Sequence, residues 1–349
     1  MKVTDHEFFQ MNVTKAMHRI KRLYRETGGD CYLSFSGGKD STVILALIKL
    51  CEELGTIPEN AIPAVFANTK IELDATYEFI NWVSENWYAN VVILEPDKPF
   101  AQVIKEYGKP VKSKLRAELL RRYQKNPKMK SVKMLFDKHY ARSALADKDL
   151  HLAHNDIGIM FSAECCNQLK KEPFKKYAKE HGITGYFTGE RLAEGGIRQA
   201  QIKKRVASGK PICTRISGDY IIKQPIVDWT DEIVEWFIKQ YQVPLSDAYT
   251  VYGMTRTGCA GCPFSRNLDD ELRVIKEFEP KRYKACMFWL KDVYIAQNVV
   301  LPFDEEYEKE RKEKWNKDYH RMRYEMLKKL RPNCRLCKKY ESEVKNNEN

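Results

Sequence analysis

Short apolar runs alternate with longer amphipathic stretches through the first two thirds of the chain, and that alternation predicts its elements. Cys31-Tyr32-Leu33-Ser34-Phe35 is short, β-prone and largely apolar, as a buried strand is. The aliphatic-rich stretch from Thr42 to Leu54 reads as a helix that stops at Gly55, a good residue just past a helix end. Thr4-Asp5-His6-Glu7 reads as a capping box opening a helix that ends near Gly28. Further strands are predicted at Ala61 to Ala67, Asn90 to Leu94, Gly185 to Thr188 and Tyr220 to Lys223, with helices running to Trp87 and Tyr241. Strands separated by helical patterns of this length imply βαβ units and a parallel sheet. The expected fold is therefore α/β, a parallel five-stranded sheet flanked by helices.

Two regions depart from that rhythm. Residues 105–150 show no clear strand and read as a basic helical insertion, and the chain from about Pro244 onward is loop and helix. The expected organisation is an N-terminal helix over 1–28, a nucleotide-binding domain over 29–243, and a mainly helical region over 244–349.

Composition narrows the class. Hydrophobic residues make up 43% of the 349 and charged residues 31%, values of a globular protein and not a disordered one. No run reaches the roughly 18 apolar residues of a membrane span, and Met1 to Phe9 is polar and acidic, unlike a signal peptide. No membrane association and a cytoplasmic address are expected. Ten cysteines are many for that compartment, where they more often bind metal or do redox work than form disulfides. The net charge of +12 points to a polyanionic partner. Candidate nucleic-acid contacts are Lys112, Lys114, Arg116, Arg121 and Arg122 in the insertion and Lys328, Lys329 and Arg331 near the C-terminal end.

Between the first strand and its helix stands Ser36-Gly37-Gly38-Lys39-Asp40-Ser41. Two glycines let an anion approach the backbone, and free N–H groups with the helix dipole favour negative charge there. Lys39 adds a cation, and Ser36 and Ser41 add hydroxyl donors. The spacing is not that of a Walker A loop, which needs four residues between its first glycine and the Gly-Lys pair.

The segment resembles the PP-loop, Ser-Gly-Gly-x-Asp-Ser, of the adenine-nucleotide α-hydrolase-like superfamily. The likeness extends over about residues 25–290 to the phosphoadenosine-phosphosulfate reductase family. Asn68-Thr69 with Glu72, Leu73 and Thr76 is similar to that family's Asn-Thr-Gly…Pro-Glu-Thr element beside the nucleotide, although Lys70 and Asp74-Ala75 depart from it. Gly189, Arg191 and Arg198 resemble its Gly-x-Arg…Arg motif, which grips phosphate or sulfate. Pro225…Asp228-Trp229-Thr230 matches its Pro-Leu…Trp-Thr element. The resemblance implies nucleotide contacts from Ser34, Ser36, Gly37, Gly38, Lys39, Asp40, Ser41, Asn68, Thr69 and Gly189. It also implies catalytic parts for Lys39, Asp40, Arg191 and Arg198, with Mg²⁺ as a companion ion.

Cys165-Cys166 and Cys259-x-x-Cys262 form a second constellation, since a CxxC loop and an adjacent pair can complete four thiolate ligands. Those residues suit zinc or an iron–sulfur cluster. The arrangement is similar to assimilatory adenylyl-sulfate reductases, whose Cys-Cys-x-x-Arg-Lys-x-x-Pro-Leu segment is met here by Lys170 and Pro173, with Leu169 in the Arg position. That resemblance implies a [4Fe–4S] cluster. Cys31 and Cys51 read as core hydrophobes. Cys334-x-x-Cys337, among Arg331, Arg335, Lys338 and Lys339, reads as a redox pair, a second metal half-site, a sulfur carrier or two ordinary thiols.

No Glu-Cys-Gly-Ile-His segment, which carries the nucleophile of sulfonucleotide reductases, occurs in these 349 residues. The leading expectation is an ATP-pyrophosphatase-type enzyme that adenylylates a nucleic acid, tRNA or DNA, for thiolation or phosphorothioation, with a sulfur donor such as a cysteine desulfurase. One alternative is a reductase of adenylyl sulfate or its 3′-phosphorylated form, in which Cys334 or Cys337 attacks sulfur and thioredoxin releases sulfite. The other is a nucleotide or nucleic-acid sensor without turnover.

Overall fold

The computed structural model describes residues 5–154, 157–299, 301 and 341. The chain divides into two compact units. The first takes in the described residues of Met1–Asp97 and Leu169–Cys259, the second those of Lys98–Gln168 and Ala260–Asn349.

In chain order, the first unit opens with α1 (Asp5–Glu26), β1 (Cys31–Ser34), α2 (Lys39–Glu53), β2 (Ala64–Ala67), α3 (Asp74–Asn86) and β3 (Val91–Leu94). The second unit then contributes α4 (Phe100–Tyr107), α5 (Lys114–Lys125) and the short α6 (Glu164–Cys166). The first unit resumes with α7 (Glu172–Glu180), β4 (Gly185–Phe187), α8 (Gly196–Ala207), β5 (Thr214–Ser217), β6 (Tyr220–Lys223), α9 (Asp231–Gln240) and α10 (Asp247–Thr250). Helices α11 (Leu268–Phe278) and α12 (Pro280–Ala296) belong to the second unit.

The sheet has six strands in the order β3-β2-β1-β4-β6-β5, against the five expected. The five anticipated strands run parallel, and β5 pairs antiparallel with β6. Thr214-Arg215-Ile216-Ser217 carries no apolar run because it is a half-exposed edge, with Ile216 75% exposed. Its two-residue Gly218-Asp219 connection, with Gly218 at φ +60°, is a hairpin turn.

Alternation along the strands builds two cores. Cys31, Leu33, Ala64, Phe66 and Phe187 face a large cluster supplied by α1, α2, α3 and α9. Tyr32, Val65 and Tyr186 face the other side, against Phe174, Tyr177 and Ala178 of α7. Trp229 is 1% exposed in the first core, and Cys31 and Cys51 are fully buried there, as expected. Burial pushes both thiols up to about 11, which makes them packing groups and not nucleophiles. The second unit has its own core of Val111, Leu119, Leu120, Leu150, Phe161 and Val293 among others. No helix among the described residues is long and apolar enough to cross a membrane.

The strand order reverses direction at β1. From β1 the chain moves outward through β2 to β3, then returns to place β4 on the other side of β1. In open α/β sheets the crevice for a ligand lies at the carboxyl ends of the strands at such a switch. The loops after β1 and β4 meet there.

Arg19 ties α1 to this region by a two-pronged bond to Asp228, at 2.6 and 2.7 Å, and a third to the Pro225 carbonyl at 2.8 Å. Burial alone would raise the Asp228 pKa, but the Arg19 guanidinium overrides it and holds the carboxyl below its ordinary value. Its contribution to stability is therefore present above the unfolded-state value of about 3.9 and is lost as pH falls through the folded-state value. Asp228→Asn should cost about 1.5–3 kcal/mol at pH 7, the worth of a charge-assisted bond. Urea denaturation should show the gap between wild type and variant closing as pH drops below about 4.

Candidate nucleotide and thiolate sites

The loop after β1 is held in shape before any ligand arrives. Gly37 has φ +66°, and a Cβ there would lie 3.1 Å from Ile80 and 3.3 Å from Thr76. A side chain at this position is both strained and crowded. The Ser41 hydroxyl donates to the Gly38 carbonyl at 2.8 Å and accepts from the Ser36 amide at 3.2 Å, and the two serine hydroxyls lie 3.1 Å apart. Gly38 caps α2 in an extended conformation with no side-chain acceptor of its own, so the first-turn amides face the loop. The Tyr249 hydroxyl accepts from the Lys39 amide at 3.0 Å and lies 3.2 Å from the Thr257 hydroxyl. Neither Tyr249 nor Thr257 was legible as a site residue, since one lies on the four-residue α10 and the other in the irregular chain after it.

Gly189, after β4, packs directly on the start of α2. A Cβ there would meet Asp40 at 3.1 Å and the Ser41 amide at 3.2 Å. Two residues on, Arg191 takes a different part from the ligand grip expected of it. It is 4% exposed; its Nε donates to Asp40 at 2.8 Å, one Nη to Asp231 at 2.8 Å and the other to the Trp229 carbonyl at 3.3 Å. Burial works against the guanidinium charge, yet Asp40 and Asp231 outweigh it and raise its pKa. On Asp40 the balance falls the other way: burial raises its pKa although Arg191 opposes the shift. Arg191 is thus a buried strap joining the first turns of α2 and α9 across β4. Arg198 lies exposed on α8 and pairs with Glu194 one turn earlier.

The Asn-Thr element lies at the end of β2. Asn68 donates to Glu95 at 2.9 Å, and the Lys70 ammonium reaches the same carboxylate at 2.7 Å. Lys70 has φ +64°, the left-handed region that its family counterpart, a glycine, adopts freely. The backbone turn is therefore kept despite the substitution. Thr69 and Tyr77 hydroxyls both donate to Glu72, at 2.7 and 2.8 Å, and Glu72 is 2% exposed.

Glu72 also receives Lys170 at 3.2 Å, and it forms an isolated antiparallel bridge with Cys259, whose thiol lies 4.0 Å from its carboxylate. Burial opposes the Lys170 charge, but Cys259 and Glu72 prevail and raise its pKa. Lys170 thus places a cation beside Cys259, which favours its thiolate, but among the described residues no three His, Cys, Asp or Glu side chains are grouped closely enough to hold a metal ion. In the second unit Cys165 is buried, and Cys166 and Cys262 are half-buried. Gly261 there has no room for a side chain, since a Cβ would fall 2.6 Å from the Tyr294 hydroxyl, which donates to the Gly261 carbonyl.

Four of the five candidate cations of the insertion are bonded inside the second unit. Lys112 pairs with the buried Asp149 at 2.8 Å, Arg116 donates to the Ala144 carbonyl, and Arg121 and Arg122 both engage Glu118 at 3.0 and 3.1 Å. Only Lys114 of those five candidates has no such bond among the described residues, and it is exposed at the start of α5. The expected contacts Lys328, Lys329, Arg331, Cys334 and Cys337 lie outside the described residues, as does Thr4 of the expected capping box.

The model of the phosphoadenosine phosphosulfate reductase domain matches residues 30–146 and 119–265. The chain belongs to that family. The matched residues include the loop after β1, the Asn-Thr element, Gly189 and Arg191. No curated protein matches the chain. Among solved structures it is similar to phosphoadenylyl-sulfate reductase from Candida auris in a phosphate complex, at 15% identity over 74% of this chain and 97% of that one, with a TM-score of 0.41.

Because Arg191 is buried and holds the half-buried Asp40, removing it strands that carboxylate, whereas the exposed Asp231 keeps its solvation. Arg191→Met should destabilise the first unit by about 3–5 kcal/mol, the usual cost of breaking a buried ion pair from one side. Adding Asp40→Asn should recover part of that loss, measured by denaturant unfolding as a double-mutant cycle. Additive effects would show that Arg191 and Asp40 are not coupled.

Proposed function

We propose that this family member is an adenine-nucleotide-dependent sulfur-transfer enzyme that activates a nucleic-acid acceptor. The observation that carries the nucleotide part is the preformed loop from Ser36 to Ser41, with its left-handed Gly37 and its amides at the start of α2. Gly37, Gly38, Lys39 and Ser41 would bind the pyrophosphate of ATP. Asn68, Thr69 and Gly189 would line the same strand ends, and Asp40, oriented by Arg191, would assist Mg²⁺ directly or through water. Arg191 then acts by positioning and not by touching phosphate.

In the reaction proposed, an oxygen of the acceptor forms a bond to the α-phosphorus of ATP and the α–β bond breaks. Pyrophosphate leaves, and the acceptor proton passes to solvent. Lys39 and the α2 amides neutralise charge that builds on the phosphates. Sulfur from a persulfide donor then displaces AMP, and a second thiol resolves the resulting disulfide. Cys165, Cys166, Cys259 and Cys262 would hold a [4Fe–4S] cluster, with zinc as the alternative that four thiolates also allow. Such a cluster supplies a redox or sulfide-handling centre, and Lys170 would balance its ligand charge.

The family itself supports a second reading, reduction of a sulfonucleotide by thiols. Anaerobically purified protein separates the two. Pyrophosphate released from ATP only in the presence of nucleic acid supports adenylylation, whereas sulfite formed from adenylyl sulfate with thioredoxin supports reduction. Lys39→Ala should weaken ATP binding about ten- to a hundredfold by calorimetry, the worth of one charge-assisted phosphate contact. Unchanged affinity would remove Lys39 from the site.

Metal analysis tests the thiolate centre independently. Anaerobic wild-type protein should be brown with about four irons per chain, as a cubane on four cysteines requires. Cys259→Ser should lose them. Stoichiometric zinc without iron would overturn the cluster.

A further inference from the structure

Residues 195–218 hold six cations, Arg198, Lys203, Lys204, Arg205, Lys210 and Arg215, and no Asp or Glu. A stretch of 24 residues thus carries a charge equal to half of the protein's net +12. It forms α8 and β5 in the first unit. Arg198 is matched by Glu194, but Lys203, Lys204 and Lys210 are exposed and pair with no carboxylate among the described residues.

Two arginines of the same stretch have donors to spare. Arg205 gives one Nη to the Ile212 carbonyl and to Gln224, the latter at 2.7 Å. Gln224 donates in turn to Glu190, the carboxylate that faces this spot, and Arg215 stands 3.9 Å from Glu190. The Nε–H groups of both Arg205 and Arg215 are buried and meet no acceptor among the described residues. Burial first, and then repulsion from Arg215, lowers the Arg205 pKa, so the two guanidiniums are close enough to feel each other. Neighbouring cations with unmet donors are costly to hold together unless an anion joins them.

The position of this face matters as much as its charge. Because β5 runs antiparallel to β6, Thr214 lies beside Lys223 at the carboxyl end of β6. That is the edge of the sheet where the loop after β1 and Gly189 also lie. Helix α8 starts five residues after Arg191, and its 12 residues run about 18 Å at 1.5 Å per residue. One small anion would need only the arginine pair. Exposed lysines on the same helix and the loop after it suit a repeating anion.

We infer that α8 and β5 form the surface on which a nucleic acid lays its phosphate backbone, with Arg205 and Arg215 under one phosphate and Lys203, Lys204 and Lys210 along the next. This names the docking face for the acceptor and rests on the reading given under Proposed function. It moves that face from the five insertion candidates, four of which are bonded internally, to the unit that carries the nucleotide loop.

The test uses the full chain, a labelled DNA duplex and bulk tRNA, with anisotropy followed between about 50 and 200 mM salt. The triple variant Lys203→Glu, Lys204→Glu, Lys210→Glu should bind about tenfold more weakly or worse. Its log–log salt slope should be shallower by about 0.9 for each duplex phosphate no longer neutralised, or about 0.7 on single strands. All three residues are exposed, and an unchanged thermal unfolding midpoint will show that the variant folds. The matching reversal of Lys114, Lys125 and Lys128 should leave both quantities near wild type. Weakened binding in that second variant alone overturns the α8–β5 assignment while the nucleic-acid acceptor stands. If wild-type protein turns over ATP or adenylyl sulfate yet binds neither nucleic acid at low salt, the acceptor reading falls, and this surface with it. Binding to anionic phospholipid vesicles without nucleic-acid binding also overturns the proposal.

Discussion

The buried guanidinium of Arg191 is the contact on which the rest of the nucleotide site depends. It joins a carboxylate at the start of α2 to one at the start of α9, and a carbonyl between them, from a strand end where Gly189 leaves no space for a side chain. Two helix N-termini, each a partial positive charge, are thereby set beside a full positive charge, and Asp40 and Asp231 make that arrangement tolerable. Shifting any one of these groups would move the amides that face the loop. The rigidity comes from the buried guanidinium and its partners, and not from the glycine-rich loop itself, whose residues are conformationally permissive.

A second network runs through Glu72. One buried carboxylate accepts from Thr69 and Tyr77 and is paired with Lys170, and its chain segment bridges to Cys259. The element that resembles the family's nucleotide contact and the first cysteine of the CxxC loop therefore share a partner. A change in the charge at Cys259, by ligation or by oxidation, would act on the Thr69 hydroxyl through two contacts. The sheet supplies the frame, and these two polar networks attach the chemistry to it.

Much of this was legible in the sequence. Strands β1, β2, β3, β4 and β6 announce themselves as short apolar runs, and the serine–glycine loop could be placed at a strand-to-helix turn from its neighbours alone. Strand β5 escaped because an exposed edge has no apolar run to find; its one strong residue, Ile216, faces solvent. The part played by Arg191 escaped for a different reason. A pattern places an arginine near phosphates, but only tertiary structure reveals that two carboxylates reach it first. The same holds for Lys112, Arg121 and Arg122, where i,i+3 and i,i+4 spacing to Glu118 accounts for two of them and the partner of Lys112 lies far along the chain. Tyr249 and Thr257 had no signal at all.

The pairing of β1 with β4 sets the pace at which the first unit can form. Cys31 lies opposite Gly185, so the central pair of the sheet joins residues 154 positions apart (185 − 31). At ribosomal speeds of about 5–20 residues per second, roughly ten to thirty seconds pass between synthesis of the two strands. During that interval β1 can pair with β2, and β2 with β3, on one side, while the other edge of β1 offers an open row of amides and carbonyls. Such high contact order slows folding and lengthens exposure of an apolar strand. Expression at lower temperature or with chaperone support addresses that waiting time, which no substitution in the nucleotide loop would shorten.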